Sequence, residues 1–225
     1  MFYNNSVVGE IDFVLEKANE TVWHIRTESR ATSLLAKAFG SEVTQASHFY
    51  WDMTTEIPTL VPLTYHHVSR EPLRTRFWQH HFDWDSQTSK TITHQGDQVI
   101  SLPEQLLDPL TLRLQLAVDL NMSDPKIEER NFWVLDRDDV EAQRIEYRDA
   151  EPVQVSAGCF EAHHYYRFRK EGSARNYDLW VSPDLDWLPL RTLQTDGKRE
   201  IRIDLKSSTL LKQPRNCNDA GRDQY

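Results

Sequence analysis

Two runs of alternating apolar and polar residues meet across Asp196-Gly197, and no other feature restricts the fold of this chain as tightly. The dipeptide suits the left-handed positions of a type I′ turn, whose twist matches the strands it joins. Centred in a two-residue loop, it opposes Leu188 to Leu205, Leu190 to Ile203 and Thr192 to Ile201. The same two-residue period opens the chain. Ile11, Phe13 and Leu15 alternate with Glu10, Asp12 and Glu16, and Thr21, Trp23 and Ile25 alternate with His24 and Arg26. A loop of Lys17-Ala18-Asn19, with Asn19 left-handed, opposes Phe13 to Trp23 and Ile11 to Ile25 on one face. On the other face it opposes Asp12 to His24 and Glu10 to Arg26. Apolar then meets apolar and acid meets base, as cross-strand pairing favours.

Further alternating runs predict strands over 42–51, 63–69, 74–84, 88–94, 99–102, 131–135, 140–147, 159–170 and 177–182. A two-residue loop after Trp84 opposes Trp84 to Ser89 and Asp83 to Lys90. Two segments break the pattern. Residues 33–39 are rich in Leu and Ala and are followed by Gly40, which predicts a short helix. Residues 105–121 carry a conflict, because Leu110, Leu112, Leu114, Leu116, Val118 and Leu120 alternate like a strand. Yet Asp108 before Pro109 is a good N-cap with proline in the first helical position, and Leu, Gln, Arg and Ala favour helix. The helix is the better reading, and a helix apolar nearly all round must be enclosed.

Composition narrows the function classes. Among the 225 residues 39% are hydrophobic and mean hydropathy is -0.66, so a core depends on the aromatic 11%. No apolar run approaches the ~20 residues of a membrane-spanning helix. Net charge is -9 with no Lys/Arg block, which argues against nucleic acid as a partner and against electrostatic docking to anionic lipid. Seven glycines form no phosphate loop, so no cofactor is expected. Phe2 and Tyr3 already read as strand immediately after Met1, so the natural gene product is expected to have an upstream segment.

Short motifs are spread from Tyr3 to Lys206: Gly9-Glu10-Ile11, the arginine-ended strand at Arg30, Phe82-Asp83-Trp84-Asp85 and Gln105-Leu106-Leu107-Asp108-Pro109-Leu110. They continue with Ala157-Gly158-Cys159-Phe160, Leu179-Trp180-Val181-Ser182-Pro183-Asp184 and Leu188-Pro189-Leu190-Arg191. In this order and spacing they resemble a bacterial exported family, domain of unknown function family 3108. The resemblance implies a periplasmic or exported protein. It also implies an architecture similar to lipoprotein carriers, an antiparallel sheet wrapped round a hydrophobic cavity plugged by helices. The family has no assigned activity, and its members carry an export signal that this sequence lacks. A likeness of fold transfers no function.

Three histidine pairs, His66-His67, His80-His81 and His163-His164, place neighbours on opposite faces of a strand, so none chelates one ion by itself. If the chain turns near Glu71-Pro72, His66 faces about Phe77 rather than His80. Solvated or edge histidines are the better reading, and no metal site is expected. No G-x-S-x-G elbow or H-E-x-x-H motif occurs, so the chain is not expected to be an enzyme. The seven tryptophans either pack a core or wall an apolar cavity. Cys159 and Cys217 are better read as a small, partly buried residue and a free thiol in the tail. The alternative is a disulfide, worth about 4 kcal/mol by chain entropy.

These readings combine into a mainly β protein. One curved antiparallel sheet or half-barrel, lipocalin-like, carries two helices, the longer packed in the concave face. A single domain covers 1–206, and 207–225 form a polar tail. The expected site is an apolar cavity lined by Trp23, Phe49, Trp51, Trp78, Trp84, Leu112 and Leu116. An acyl chain there gains about 0.8 kcal/mol per buried methylene, with micromolar affinity as the ceiling after ordering costs. Three functions compete: an envelope protein binding a hydrophobic or amphiphilic ligand, a structural or interaction protein of the envelope, and a hydrolase with an unrecognised site.

Overall fold

A computed structural model describes residues 1–32, 42–71, 73–168 and 175–211. The expected helix over 33–39 and most of the tail lie outside the described residues. The chain divides into two compact units. Unit 2 comprises Val7–Gln115 and Phe132–Ala142, and unit 1 comprises Met1–Ser6, Leu116–Asn131 and Gln143–Tyr225.

The protein is mainly β, as expected, but with two sheets instead of one. The first is a seven-stranded meander: β3 (Gly9–Lys17), β4 (Val22–Ala31), β5 (Glu42–Asp52), β6 (Thr59–Glu71), β7 (Arg74–Asp83), β8 (Thr88–Thr93) and β9 (Gly96–Ser101), each paired with the next. The second takes β10 (Leu106–Leu107), β11 (Glu129–Asp136), β12 (Asp139–Val155), β13 (Gly158–Phe168), β14 (Arg175–Val181), β15 (Pro189–Asp196) and β16 (Arg199–Asp204) in that order. β1 (Phe2–Tyr3) and β2 (Ser6–Val7) then follow β16. The break falls between β9 and β10, and β10 is followed by the helix α1 (Thr111–Met122), the only α-helix among the described residues.

The register of the hairpins differs from expectation because the loops differ. Asn19 does not adopt a left-handed backbone. Its side-chain oxygen accepts from the amides of Thr21 and Val22 at 3.0 and 2.8 Å. The loop lengthens, and the pairs become Phe13–Thr27, Leu15–Ile25 and Lys17–Trp23. Asp83 likewise accepts from the amides of Asp85 and Ser86, and Gln87 takes a φ of 49°. Asp83 therefore faces Thr88, and His81 faces Lys90. Across the β6–β7 turn His66 faces Gln79. In the last hairpin Asp196 pairs with Arg199, so Gly197 and Lys198 form the loop. Only Gly197 has positive φ, at 59°, the pattern of a loop with glycine at its first central position. Thr192 then faces Ile203 and Gln194 faces Ile201.

Asp108 resolves the helix–strand conflict as its N-cap chemistry predicts. Its Oδ1 accepts from the amides of Leu110 and Thr111 at 2.8 and 3.0 Å, its carbonyl from Leu112, and its own amide donates to Thr111 Oγ1 at 2.9 Å. Such a cap is worth about 1 kcal/mol. Leu112, Leu114, Leu116, Ala117 and Leu120 are all buried, so the helix is enclosed on nearly every face. Each leucine removed from water contributes roughly 2 kcal/mol.

In unit 1 the core gathers Val153, Val155, Phe160, Ala162, Leu185 and Leu190. Cys159 is buried and disulfide-bonded, which favours the alternative reading of a disulfide over that of a merely small, partly buried residue; Cys217 lies outside the described residues. Among the described residues no helix is long and apolar enough to cross a membrane.

Candidate functional site in the buried face of the seven-stranded sheet

Because every strand of this sheet pairs with the next, its residues fall into transverse rows. One row runs Phe13, Thr27, Gln45, His67, Trp78, Thr93. The adjacent row runs Leu15, Ile25, Ser47, Tyr65, His80, Thr91, Gln98. Beyond it Phe82 faces Ser89. Ile25, Ser47, Phe49, Tyr65, Trp78, His80, Phe82, Ser89 and Thr91 are all buried, so this is the inward face.

The inward face is half polar. Thr27 Oγ1 donates to Gln45 Oε1 at 3.2 Å. Gln45 Nε2 donates to Tyr65 OH and to His67 Nδ1, both at 3.0 Å. The His67 ring stacks on Trp78 with centroids 3.8 Å apart, and the Arg137 guanidinium lies 5.6 Å from the Trp78 ring centroid. Tyr65 lies parallel to His80 at 5.7 Å. His80 Nδ1 is 2.9 Å from Thr91 Oγ1. At the helix start Ser47 Oγ donates to Asp108 Oδ2 at 2.6 Å. Gln115 ties α1 to the chain entering β6, accepting from the Leu60 amide and donating to the Pro58 carbonyl.

Four buried atoms on this face have no hydrogen-bond partner among the described residues: Arg76 Nε, Trp78 Nε1, His80 Nε2 and Ser89 Oγ. Buried polar atoms are nearly always paired, and leaving one unpaired costs about 1–3 kcal/mol.

Burial governs the titratable groups here. It lowers His80 to about 4, with the charge of His81 adding to the effect. It lowers His67 to about 4 as well, helped by Arg137 and His66. Burial pushes the Tyr65 hydroxyl well above its ordinary value, and the charges of Asp108 and Asp136 act in the same direction. Burial also raises the Asp108 carboxyl, against the opposing hydrogen bond from Ser47 and those from the helix amides. The face therefore holds neutral histidines.

Of the residues expected to line a cavity, Trp23, Phe49 and Trp51 are neighbours. Trp23 is half-buried, faces Phe49 across the strands, and carries Lys17 Nζ 5.3 Å from its ring. Trp51 meets Phe49 edge-on at 5.9 Å. Trp78 and Trp84 lie further along β7 and its exit, with His80 and Phe82 between them in sequence. Trp84 stacks on Phe82 at 6.1 Å and donates to the Pro62 carbonyl at 2.7 Å. Leu112 is buried in unit 2 and Leu116 in unit 1. The reading of the histidines as solvated or at edges fails for His80, which is fully buried, and for His67, which is half-buried. Sequence reasoning missed Ser47, Tyr65, His67, His80, Ser89, Thr91 and Asp108 as members of one buried network. A signal of phase was available on β5 and β7: Ser47 sits two positions from Phe49, and His80 two positions from both Trp78 and Phe82.

Unit 1 has a different polar cluster. His164 lies between Asp149, 3.3 Å from Nδ1, and Asp178, 2.9 Å from Nε2. Its ring stacks on Trp180 at 4.4 Å, and Trp180 Nε1 donates to Glu151 at 2.6 Å. Burial alone lowers this histidine, but the hydrogen bond and charge of Asp178, then those of Asp149, outweigh it and raise its pKa. The two carboxylates occupy both ring nitrogens. Among the described residues no group of three or more His, Cys, Asp or Glu is placed to hold a metal ion.

Comparison with known proteins agrees with this architecture. Residues 1–206 match the model of a family described as protein of unknown function, DUF3108. The chain is similar in structure to a beta-barrel-like protein of the domain of unknown function DUF1849 from Brucella abortus. The TM-score is 0.52 and the identity 8%, over 86% of this chain and 84% of that one, a likeness of fold alone. No curated protein matches significantly.

Proposed function

This chain belongs to the DUF3108 family, and from that footing we propose that it is a bacterial envelope protein that binds an amphiphilic ligand against the buried face of its seven-stranded sheet. One observation carries the reading: Arg76 Nε, Trp78 Nε1, His80 Nε2 and Ser89 Oγ are buried without partners on a face that also carries Phe49, Tyr65 and Phe82. A face that served only as core would be apolar or internally paired. A ligand with an apolar body and a polar group satisfies both halves of it, as small-molecule sites commonly require.

The test is mass spectrometry of protein purified from its natural host under native conditions, followed by calorimetric titration of delipidated protein with long-chain amphiphiles. A copurifying amphiphile that rebinds with micromolar affinity is expected. Protein that carries nothing and binds no amphiphile would defeat the proposal. Fractionation of the untagged natural gene product tests the envelope location, and protein confined to the cytosol would defeat that part.

A second reading, an envelope interaction protein without a small ligand, draws on the two edges of the same sheet. Phe13 and Leu15 are each 40% exposed on β3, and Val99 is 71% exposed on β9. Unpaired edges with apolar residues invite strand addition. Charge substitutions at Phe13 and Val99 that abolish co-purification of a partner while leaving lipid binding intact would favour it.

A further inference from the structure

We infer that the edge of β3 takes an added strand from a partner polypeptide whose residues alternate between basic and apolar; the inference rests on the interaction reading above and not on the ligand. Of the four ends of the two sheets, three are blunted. β10 and β2 are two residues long, and on β9 the Gln98 side chain donates to the Asp138 carbonyl at 3.4 Å. β3 runs nine residues, pairs with β4 without a bulge and holds no proline. Its one lysine, Lys17, lies at the hairpin end with Nζ 5.3 Å from the Trp23 ring. The usual protections of an exposed edge are therefore missing along Ile11 to Leu15.

The ladder fixes which backbone groups are free. The Thr32 amide donates to the Val8 carbonyl and the Ala18 amide to the Val22 carbonyl, so the even-numbered residues of β3 turn N–H and C=O toward β4. Ile11, Phe13 and Leu15 turn theirs to the edge, where no described strand pairs with them. The side chains of Phe13 and Leu15 are exposed on the inward side. The outer side of β3 and β4 carries Glu10, Asp12, Glu16 and Glu28 against only Arg26 and Arg30. Asp12 pairs with Arg30 and Glu16 with His24, yet both carboxylates stay more than half exposed and open to further donors. A strand with lysine or arginine opposite these acids and apolar residues opposite Phe13 and Leu15 gains on both sides. A second copy of β3 does not. Paired antiparallel about Phe13 it sets Glu10 against Glu16, and about Val14 it sets Asp12 against Glu16.

Fluorescence anisotropy of labelled peptides of about seven residues tests this on the full chain. The probes are an alternating lysine–valine peptide, its glutamate–valine counterpart, and a lysine–valine peptide of the same composition in blocks. The alternating lysine peptide is expected to bind roughly ten-fold tighter than either, by a margin over the glutamate peptide that narrows in high salt. Phe13→Pro removes an edge N–H and no bond to β4, a place where sheets tolerate proline, and is expected to lose most of the binding. Should that variant fail to fold by circular dichroism, Asp12→Lys with Glu16→Lys is expected to turn the preference toward the glutamate peptide. Equal binding of the three peptides, or a preference unmoved in a folded variant, overturns the inference and leaves the interaction reading standing at other surfaces. Binding of none defeats the inference and strand addition at this edge together.

Discussion

His80 and His164 each sit mid-strand in an antiparallel sheet, one in each unit, and their surroundings drive them in opposite directions. His80 is fully buried beside Tyr65, Phe82 and Thr91, with no carboxylate hydrogen-bonded to it, and burial lowers it to about 4. His164 keeps a partly exposed side chain and has a carboxylate at each ring nitrogen, which raises it despite burial. Unit 2 thus holds this histidine as a neutral ring within its core. In unit 1 two carboxylates favour the protonated form of His164. What a histidine does here is set by whether a carboxylate shares its row.

The comparison can be broken most sharply with acid. A histidine held at about 4 in the fold and near 6.5 unfolded contributes stability that is fully present above pH 6.5. That stability is lost as the pH falls through about 4, because only the unfolded chain takes up the proton readily. For His80 the loss approaches 3 kcal/mol. Urea unfolding at pH 7, 5.5 and 4 is expected to show this decline and a weaker one in His80→Phe. An identical decline in the variant would place the acid sensitivity elsewhere.

Asp108 sharpens the same contrast, as a buried carboxylate that meets hydroxyl and amide donors instead of an imidazole. Asp108→Ala strands the Ser47 hydroxyl and two helix amides, at a cost of about 2 kcal/mol. Asp108→Asn keeps an acceptor for the helix amides and should cost less than half as much. Equal shifts in urea midpoint for the two would mean that the helix cap is not what the carboxylate supplies.

The smallest effect belongs to His164. Its raised pKa gives stability that is present below about pH 6.5 and lost as the pH rises through the folded value, the opposite slope to His80. Its partners are partly exposed, so the effect stays under about 1 kcal/mol. Nuclear magnetic resonance titration should find the His164 ring above its ordinary value, moving down in Asp178→Asn. A ring that titrates below the ordinary value in the native chain would end the contrast.

How much of this was legible in the sequence differs by element. The helix was, because Asp108-Pro109 is a local signal strong enough to override six alternating leucine-type positions. Existence of the strands was legible from alternation. Their register was not, because it depends on side chains closing the loops: Asn19 and Asp83 accept backbone amides and lengthen turns that composition alone makes shorter. Loop composition also misplaced the Gly197 turn by one residue. The polar network was hidden for a different reason. Ser47 and His80 read as the outer half of an alternating pattern until the phase of the strand is fixed by an apolar neighbour two residues away, and Thr91 has no such neighbour. The division into two sheets is not a property of any strand, since it depends on β10 pairing with β11 and β1 with β16, partners distant in sequence or beyond the helix.

The pairing of β1 with β16 sets a timetable for synthesis. Every strand from β3 to β9 pairs with the next in sequence, across connections of at most ten residues, so that meander closes only local contacts. Phe2 faces Arg202, and the Asn4 amide donates to the Glu200 carbonyl at 3.0 Å. Those partners do not exist until nearly 200 further residues have been made. β1, which precedes every other described strand in the sequence, is therefore among the last of them to be hydrogen-bonded. Until then Phe2 and Tyr3 are an unpaired, aromatic strand end, open to chaperones and to pairing with the wrong chain.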